Sequence, residues 1–584
     1  MVVAHVSSPI RFGTCVLTLL LLVSCGPQAQ PDARPAAGGQ PGELAPRAAP
    51  KVLTLAISAP PSAFSLPSAS VPAGGWVQVT EVHSDGLVTS ESGSRRRIGR
   101  LAEKVPSVED GTISFLPDGK MRLVYPLRKG VLWHDGTPFT AQDMVFAYKV
   151  GGPGGIPSGF NDPMRRMDSV EAPDDWTLVV MYKAAYYLAS DLGPHAFWPL
   201  PKHILGDAYD RYLETKNLDD LLTHRYWTSE YVHLGPFRLT SFDPDQRISF
   251  EAFGNYFFGR PKIDVIHLQI ISAQNTLLSN LLAGSVQVAP ASALVAAAGA
   301  EAKRLWDASG QGTVHVKESS IRLLEPQFRP SLQMEPAVLD PRVRQAFYHA
   351  LDREELAEVL NGSRDSVTWA LLGKEDPLYA AVRDGLRQYT YDVGRARALL
   401  AEAGWNAAPD GSLRHSSDGR PFRTSIWGTP GRDEEMNIYG AYWRAIGVEV
   451  EEFMTPPSRY RDREGRAQFP GWDFTGSGIL EMMGDRAAAA ENRWTGNNNG
   501  YDNPQARRLV DALETTMVER EQLQAMKAIS DFVAAELPAL PIFFLVQYTA
   551  ANKGVKAFDD LAGADGSERR YGGYARNAHL WDLQ

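Results

Sequence analysis

Beyond residue 25 this chain contains no cysteine: of its 584 residues only Cys15 and Cys25 are thiols. Everything downstream must therefore fold without a disulfide staple and without thiolate metal ligands, on apolar burial and hydrogen bonding. The length is too great for one ordinary domain and points to two to four. Hydrophobic residues make up 44% and charged residues 22%, the balance of a soluble globular protein. The net charge is -10 with the acidic residues scattered, so a nucleic-acid partner, which needs clustered Lys and Arg, is not expected.

Both thiols fall in the opening stretch "MVVAHVSSPIRFGTCVLTLLLLVSCG". Arg11 supplies a positive start, and Cys15 to Val23 is an apolar run too short for a permanent bilayer span but suited to a signal peptide. The run ends in Leu22-Val23-Ser24-Cys25, which resembles a bacterial lipobox. Residues 1–24 are then a lipoprotein signal peptide and Cys25 the lipidated residue; the alternative is an ordinary signal peptide with an incidental cysteine. Acyl chains hold a protein to a membrane surface at about 0.8 kcal/mol per buried CH2. Residues 25–50, rich in Pro, Ala and Gly, read as a flexible tether. No later stretch is apolar enough to span a membrane, so the body is expected to be extracytoplasmic, in the periplasm or on the outer cell surface.

The body opens at Lys51 with "KVLTLAIS", a strand, followed by the long Pro/Ser/Gly loop "APPSAFSLPSASVPAGGW". Long loops of this kind are often functional. "DGKMRLVYPLRKGVLWHDG" reads as strand, turn, strand, turn, with Leu123, Tyr125 and Leu127 alternating. Thr140 and Asp143 form a variant capping box that opens a helix. Asp340-Pro341, Asp352 with Glu355, and Asp392 open three more helices. Gly404 stops the last of these. Residues 504–537 read as helical, and "LPALPIFFLV" as a buried strand. No internal sequence repeat is visible.

Catalytic and metal signatures are missing. There is no HExxH, GxSxG or P-loop, and no two histidines beyond the leader sit at i, i+4. His134-Asp135 is the best local acid–base candidate. Adjacent strand residues point to opposite faces, however, so the two side chains cannot readily meet. Asp135 before Gly136 is better read as a turn residue. No catalytic residue, cofactor or metal is expected.

The same stretch, "YPLRKGVLWHDGTPFTAQDMVFAYK" (125–149), resembles a signature of the bacterial extracellular solute-binding proteins of family 5. These are the dipeptide-, oligopeptide- and nickel-binding components of ABC importers. Further segments match in order: "LPKHIL" (200–205), "GPFRLTSF" (235–242), "NYFFGRPKIDVI" (255–266), "LLAGSVQVA" (281–289) and "DPRVRQAFYHALDRE" (340–354). "YDVGRARALLAEAGW" (391–405), "AIGVEVE" (445–451), "GYDNPQARRLVDAL" (500–513) and "ELPALPIFFL" (536–545) complete the set.

The resemblance implies an α/β, periplasmic-binding-protein-like fold of type II (cluster C-like), two-lobed, with an additional domain and a hinged ligand cleft. It implies a discontinuous lobe I of 51–93, 229–315 and 548–584, an additional domain of 94–228, and lobe III of 316–547. It further implies a monomer that captures a peptide or similar polar organic solute by lobe closure and hands it to ABC permease subunits in the membrane. In such proteins the ligand meets the long loop after the first strand, here Phe64, Ser65 and Trp76, and loops of lobe III. The latter correspond to Gln327, to Ser477, Gly478, Leu480 and Glu481 in "WDFTGSGILEMMGD", and to Trp494, Asn498 and Tyr501 in "NRWTGNNNGYDNP". Trp76 and Trp494 could equally cover a core, and "GNNNG" could be only a turn.

Peptide-binding relatives place an aspartate near Leu480 to pair with the peptide's amino terminus; Leu480 departs from that pattern, and Glu481 is the nearest carboxylate. If neither position supplies one, an oligosaccharide or a metal chelate becomes the alternative ligand. A hydrolase on the same scaffold, using a distant pair such as Asp473 and Glu481, or a ligand-presenting sensor are further alternatives.

Overall fold

The computed structural model describes residues 49–61, 63–64, 75, 77–91, 96–153, 155–156, 162–194, 196–291, 293–369, 372, 379–429, 432–456, 462–474, 478–484, 487–490, 494, 496–558 and 575–584. The lipidation position Cys25, with Ser65, Trp76 and Ser477, lies outside them, as does the side chain of Glu481.

The strands used below are β1 (Val52–Ile57), β2 (Ile113–Phe115), β3 (Met121–Pro126), β4 (Met167–Asp174), β5 (Thr177–Tyr182), β6 (Phe237–Asp243) and β7 (Arg247–Ala252). They continue as β8 (Val265–Ile270), β9 (Val288–Ala289), β10 (Gly312–Pro326), β11 (Arg423–Gly428), β12 (Glu449–Met454), β13 (Trp472–Asp473) and β14 (Leu540–Asn552). The helices are α1 (Ala141–Gly151), α2 (Lys202–Thr215), α3 (Gln274–Leu282), α4 (Ala296–Ser309), α5 (Pro341–His349) and α6 (Arg353–Asn361). They continue as α7 (Val393–Glu402), α8 (Asp433–Ala445), α9 (Arg463–Ala467), α10 (Ile479–Gly484), α11 (Pro504–Thr515) and α12 (Glu519–Glu536).

Ten strands join in the order β12-β11-β13-β10-β14-β9-β1-β8-β7-β6. At the centre the two long strands β10 and β14 run antiparallel, from Gly312 opposite Asn552 to Leu324 opposite Leu540. To one side β9, β1 and β8 are mutually parallel, and β9 is antiparallel to β14. To the other side β13, β11 and β12 are mutually parallel, and β13 is antiparallel to β10. The two half-sheets therefore repeat one strand order about the central pair. In each, the chain leaves a middle strand (β1 or β11), enters its outer neighbour (β8 or β12), then crosses back to the inner one (β9 or β13).

Apolar alternation explains the layers. Leu324 belongs to the core under α5, α7 and α8, whereas its neighbour Leu323 belongs to the core under α10, α11 and α12. The second half-sheet is thus covered on both faces, as parallel strands require. The four-stranded antiparallel sheet β2-β3-β5-β4 carries α1 and α2, and shares one continuous core with β1 and β6–β8. Leu123, Tyr125 and Leu127 are all buried, as their alternation predicts.

The helix starts match their sequence signals. Thr140 caps α1 by accepting from the Gln142 N–H, and Asp143 accepts from the Thr140 N–H at 3.0 Å. Asp340, Asp352 and Asp392 accept from the N–H groups of Arg342, Glu355 and Arg395. Two expectations are corrected. Residues 504–537 are two helices, broken at Thr516–Val518. The stretch after Leu127 is not a second strand: a left-handed Gly130 turns the chain, and a lone bridge joins Leu132 to Pro138.

Candidate functional site

The strand directions alone single out one end of each half-sheet. β14 runs from the second half-sheet into the first, so β9, antiparallel to it, points its carboxyl end back toward the middle of the central pair. β1 is parallel to β9 and does the same. β10 runs the opposite way, so β13, antiparallel to it, also points its carboxyl end toward the middle. β11 and β12 follow β13. The carboxyl ends of both parallel sets therefore converge on the central crossing. In open α/β sheets ligands bind outside the carboxyl ends of strands where the strand order reverses. Here both halves offer such a reversal, at β1 and at β11.

On the first half-sheet the convergent end carries Ile57 and the segment Pro290–Ala293. Gly75 rests there in a left-handed conformation (φ +94°), where a β-carbon would lie 2.9 Å from the Pro290 ring. Gly75 therefore lies at this end of the sheet. On the second half-sheet the end carries Trp427, Gly428, Phe453, Met454 and Phe474. Trp427 and Phe453 are cross-strand neighbours with rings 4.4 Å apart, both half-buried. A β-carbon on Gly428 would lie 2.7 Å from the Phe474 ring, so glycine lets Phe474 close over the strand end.

Beneath Phe474 lies a buried ion pair. Arg322 of β10 meets Glu435 of α8 at 2.7 Å and donates to the Phe474 carbonyl at 3.0 Å. Tyr439 donates to Glu435 at 2.9 Å. Burial raises the Glu435 carboxyl above its usual range, and the Arg322 charge pulls the other way. Removing one partner of such a pair costs about 3–5 kcal/mol, because the other charge is left buried. The pair holds the Phe474 backbone through that carbonyl. Arg432, 3.5 Å from Glu435 and partly exposed, adds a cation at the rim.

The residues singled out from the sequence divide sharply. Gly478 and Leu480 sit at the start of α10, where Gly478 accepts from the Met482 N–H at 3.0 Å and Leu480 is half-buried. Trp494 is half-buried, in a left-handed conformation (φ 57°). The others have the following surroundings. Phe64 is fully buried, stacked on Tyr231 at 4.4 Å and edge-on to His83 at 5.1 Å, so it is core.

Gln327, Asn498 and Tyr501 lie by the amino end of β13. The Gln327 backbone donates to Gly471 at 2.8 Å, just before β13 begins. Its amide donates to Ala467 and Phe469, and its oxygen accepts from Arg329. The Arg329 guanidinium in turn donates to the carbonyls of Ala467, Ala488 and Asn498. Asn497 donates to Met482 and Tyr501, and the Asn499 side chain accepts from the Tyr501 N–H. "GNNNG" is thus part of a polar knot that holds three loops together. Tyr501 packs edge-on against Phe328 at 4.7 Å.

His134 and Asp135 point apart, although the segment that carries them is a turn and not the strand expected from the sequence. His134 is buried; its Nδ1 accepts from the His233 N–H at 3.2 Å, and its Nε2 donates to the Gly235 carbonyl at 2.9 Å. Burial pushes its pKa down to about 4, so the ring is a neutral staple between two loops. Asp135 accepts from Thr137 in its own turn and meets His203 of α2 at 2.8 Å. Among the described residues no cluster of three or more His, Cys, Asp or Glu could hold a metal ion. No helix among them is long and apolar enough to cross a membrane.

Trp427 and Phe453 escaped the sequence reading. Their signal was there: "FRTSIWGTPG" is a strand running into a Gly/Pro turn ahead of a helix, and its last aromatic marks a carboxyl strand end.

Comparison with known proteins agrees with this geometry. The sequence profile of the family described as bacterial extracellular solute-binding proteins, family 5 Middle, matches residues 99–501. The oligopeptide-binding protein AppA of Bacillus subtilis (strain 168) is 27% identical over 369 residues, 61% of this chain and 62% of that protein, so the chain spans less than two thirds of this relative. The oligopeptide binding protein from Thermus thermophilus, solved with a pentapeptide, superposes with a TM-score of 0.74 at 22% identity, covering 91% of this chain and 96% of that one. NikZ from Campylobacter jejuni, solved with Ni(L-His), superposes with a TM-score of 0.70 at 18% identity, covering 91% and 99%. The two-lobed type II fold is shared with these structures.

Proposed function

The chain belongs to the bacterial extracellular solute-binding proteins of family 5, and from that premise we propose that it is the receptor of an ABC importer for a peptide or a similar polar organic solute. The convergence of both sets of carboxyl strand ends on the β10–β14 crossing carries this reading. A solute bound there touches both half-sheets at once and so favours the closed arrangement over the open one. No bond need be made or broken, and the relatives are binding proteins by name. The rim contributed by Trp427 and Phe453 is aromatic, which suits the apolar side chains of a peptide.

In this reading lobe I comprises 51–93, 229–315 and 548–584, the additional domain 94–228, and lobe III 316–547. The ladder supports the division: His315 faces Thr549 and Val316 faces Tyr548, so both boundaries fall at one level of the central pair. Ser65, Trp76, Ser477, Gly478, Leu480, Glu481 and Trp494 remain the proposed contacts, joined by Trp427 and Phe453. Cys25 carries the lipid, and residues 26–50 let the anchored receptor reorient toward its permease.

A thermal-shift screen against peptides, oligosaccharides and nickel chelates tests this, with mass spectrometry of each solute afterwards. A peptide at a hundred times its Kd should add about 2.7 kcal/mol of stability and be recovered intact. A peptide returned cleaved would replace the receptor with a hydrolase. A shift from chelates or sugars alone would refute the peptide assignment.

A further inference from the structure

Helix α11 belongs to one core and reaches another. Its buried residues Ala506, Val510 and Leu513 pack into the core shared with α10 and α12. The short helix Asp162–Arg166 and the turn after β5 belong to a different core, through Met164, Met167 and Tyr186. In the division proposed above, the first of these cores lies in lobe III, and the second holds the additional domain with part of lobe I.

The two bodies are joined through the β10–β14 pair, and they meet again at the carboxyl end of α11. Glu514 makes this contact with both its side chain and its backbone. Its carboxylate accepts from Arg166 Nη2 at 2.9 Å, and its carbonyl accepts from the Tyr187 N–H at 2.8 Å. The Arg166 guanidinium lies over the Tyr186 ring, 4.8 Å from its centroid, which helps to aim it.

The end of α11 is poorly built for a helix standing alone and well built for this contact. An acidic side chain in the last turn faces the negative end of the helix dipole, so Glu514 is unfavourable for α11 by itself. The last four carbonyls of a helix lack partners within it, and Tyr187 supplies a donor to one of them from outside. The chain then breaks at Thr516–Val518. Met517, half-buried in the break, packs against the core of the additional domain rather than that of its own helices.

We propose that this contact is a clasp: the additional domain grips the end of α11 in the closed arrangement and releases it in the open one, so that Glu514 and Arg166 bias the protein toward closure before any solute arrives. The proposal rests on the closing receptor read above and gives the additional domain a task within it. Two bodies joined by one strand pair can rotate about it, and a second contact outside that pair fixes the angle. Opening draws Glu514 away from Arg166 and Tyr187 together and bares Met517. A partly exposed ion pair with one apolar neighbour is weak enough to break on opening and strong enough to shift the populations.

The test uses the full chain carrying Cys15→Ser and Cys25→Ser, with a dye pair on new cysteines at the exposed positions Glu214 of α2 and Ala398 of α7. Single-molecule energy transfer, without solute, reads the populations of near and far distance between the two bodies. Glu514→Gln and Arg166→Gln should each lower the near-to-far ratio about threefold. The double variant should lower it no further than either alone, because the two act through one bond. Met517→Ser should move the ratio in the same direction with the ion pair intact, and decides the matter if the Glu514 variants do not fold. Exchanging the charges, Glu514→Arg with Arg166→Glu, should return the ratio toward that of the parent, a rescue that a merely structural role of either residue would not give. Folded single variants that keep the parental ratio would overturn the clasp, and so would losses that add in the double variant. Either result leaves the receptor reading to the thermal-shift screen, which does not depend on this contact.

Discussion

At the scale of single residues, environment rather than residue type decides what each group does. His134 beside Asp135 has the composition of an acid–base pair and the geometry of two unrelated staples. The sequence reading reached that outcome through a strand that the structure lacks; the separate partners of the two side chains are what keep them apart. His134→Ala should leave solute binding unchanged while lowering stability by about 1–3 kcal/mol, the cost of orphaning buried partners; a folded variant with lost affinity would contradict this. Gln327 was not legible: nothing in "EPQFRP" says that its amide is consumed by Ala467, Phe469 and Arg329.

Glu81 illustrates the opposite case, a buried carboxyl whose pKa is pushed up to about 7 by burial, with Arg100 opposing. A group raised in this way contributes its stability below the unfolded value near 4.5, and that contribution is lost as pH rises through about 7. Glu81→Gln should therefore gain on the wild type between about pH 4.5 and 7.5, reaching about 3 kcal/mol in urea unfolding. A stability difference that does not change with pH would refute it.

At the scale of elements, the helix starts were readable because a cap is a local event: a side-chain oxygen two or three residues from the N–H it satisfies. Asp392→Ala, at the head of α7, should cost about 1 kcal/mol, read as a shifted urea midpoint with unchanged slope. The break at Thr516–Val518 and the lost strand after Leu127 were not readable. Both are set by packing partners distant in sequence, as the His134 bond to Gly235 shows. Gly299→Ala tests such a distant contact. The helix backbone accepts alanine, but the new methyl would meet the Tyr548 ring, so a loss of about 1–3 kcal/mol is expected where alanine would otherwise stabilise a helix. A stabilised variant would mean that the ring moves freely.

At the scale of the molecule, the family segments carried the fold, yet the feature that makes the site was invisible in the sequence. The two half-sheets share one strand order without any shared sequence, because order is a matter of pairing between segments that are not adjacent in the chain. Trp427 and Asp473 become neighbours only through that pairing. The proposed site therefore includes the strand ends at Trp427 and Phe453, which the sequence reading did not single out. Trp427→Ala should weaken solute binding about tenfold with the fold intact, an ordinary loss for an aromatic contact; unchanged affinity by calorimetry would remove it from the site.

The account as a whole rests on a solute drawing the two halves together. The most direct measurement is small-angle X-ray scattering of the protein with and without the best-binding solute from the thermal-shift screen. The radius of gyration should fall on saturation, with the solute recovered unchanged. A stabilising solute that binds and leaves the radius of gyration where it was would contradict closure across the β10–β14 crossing.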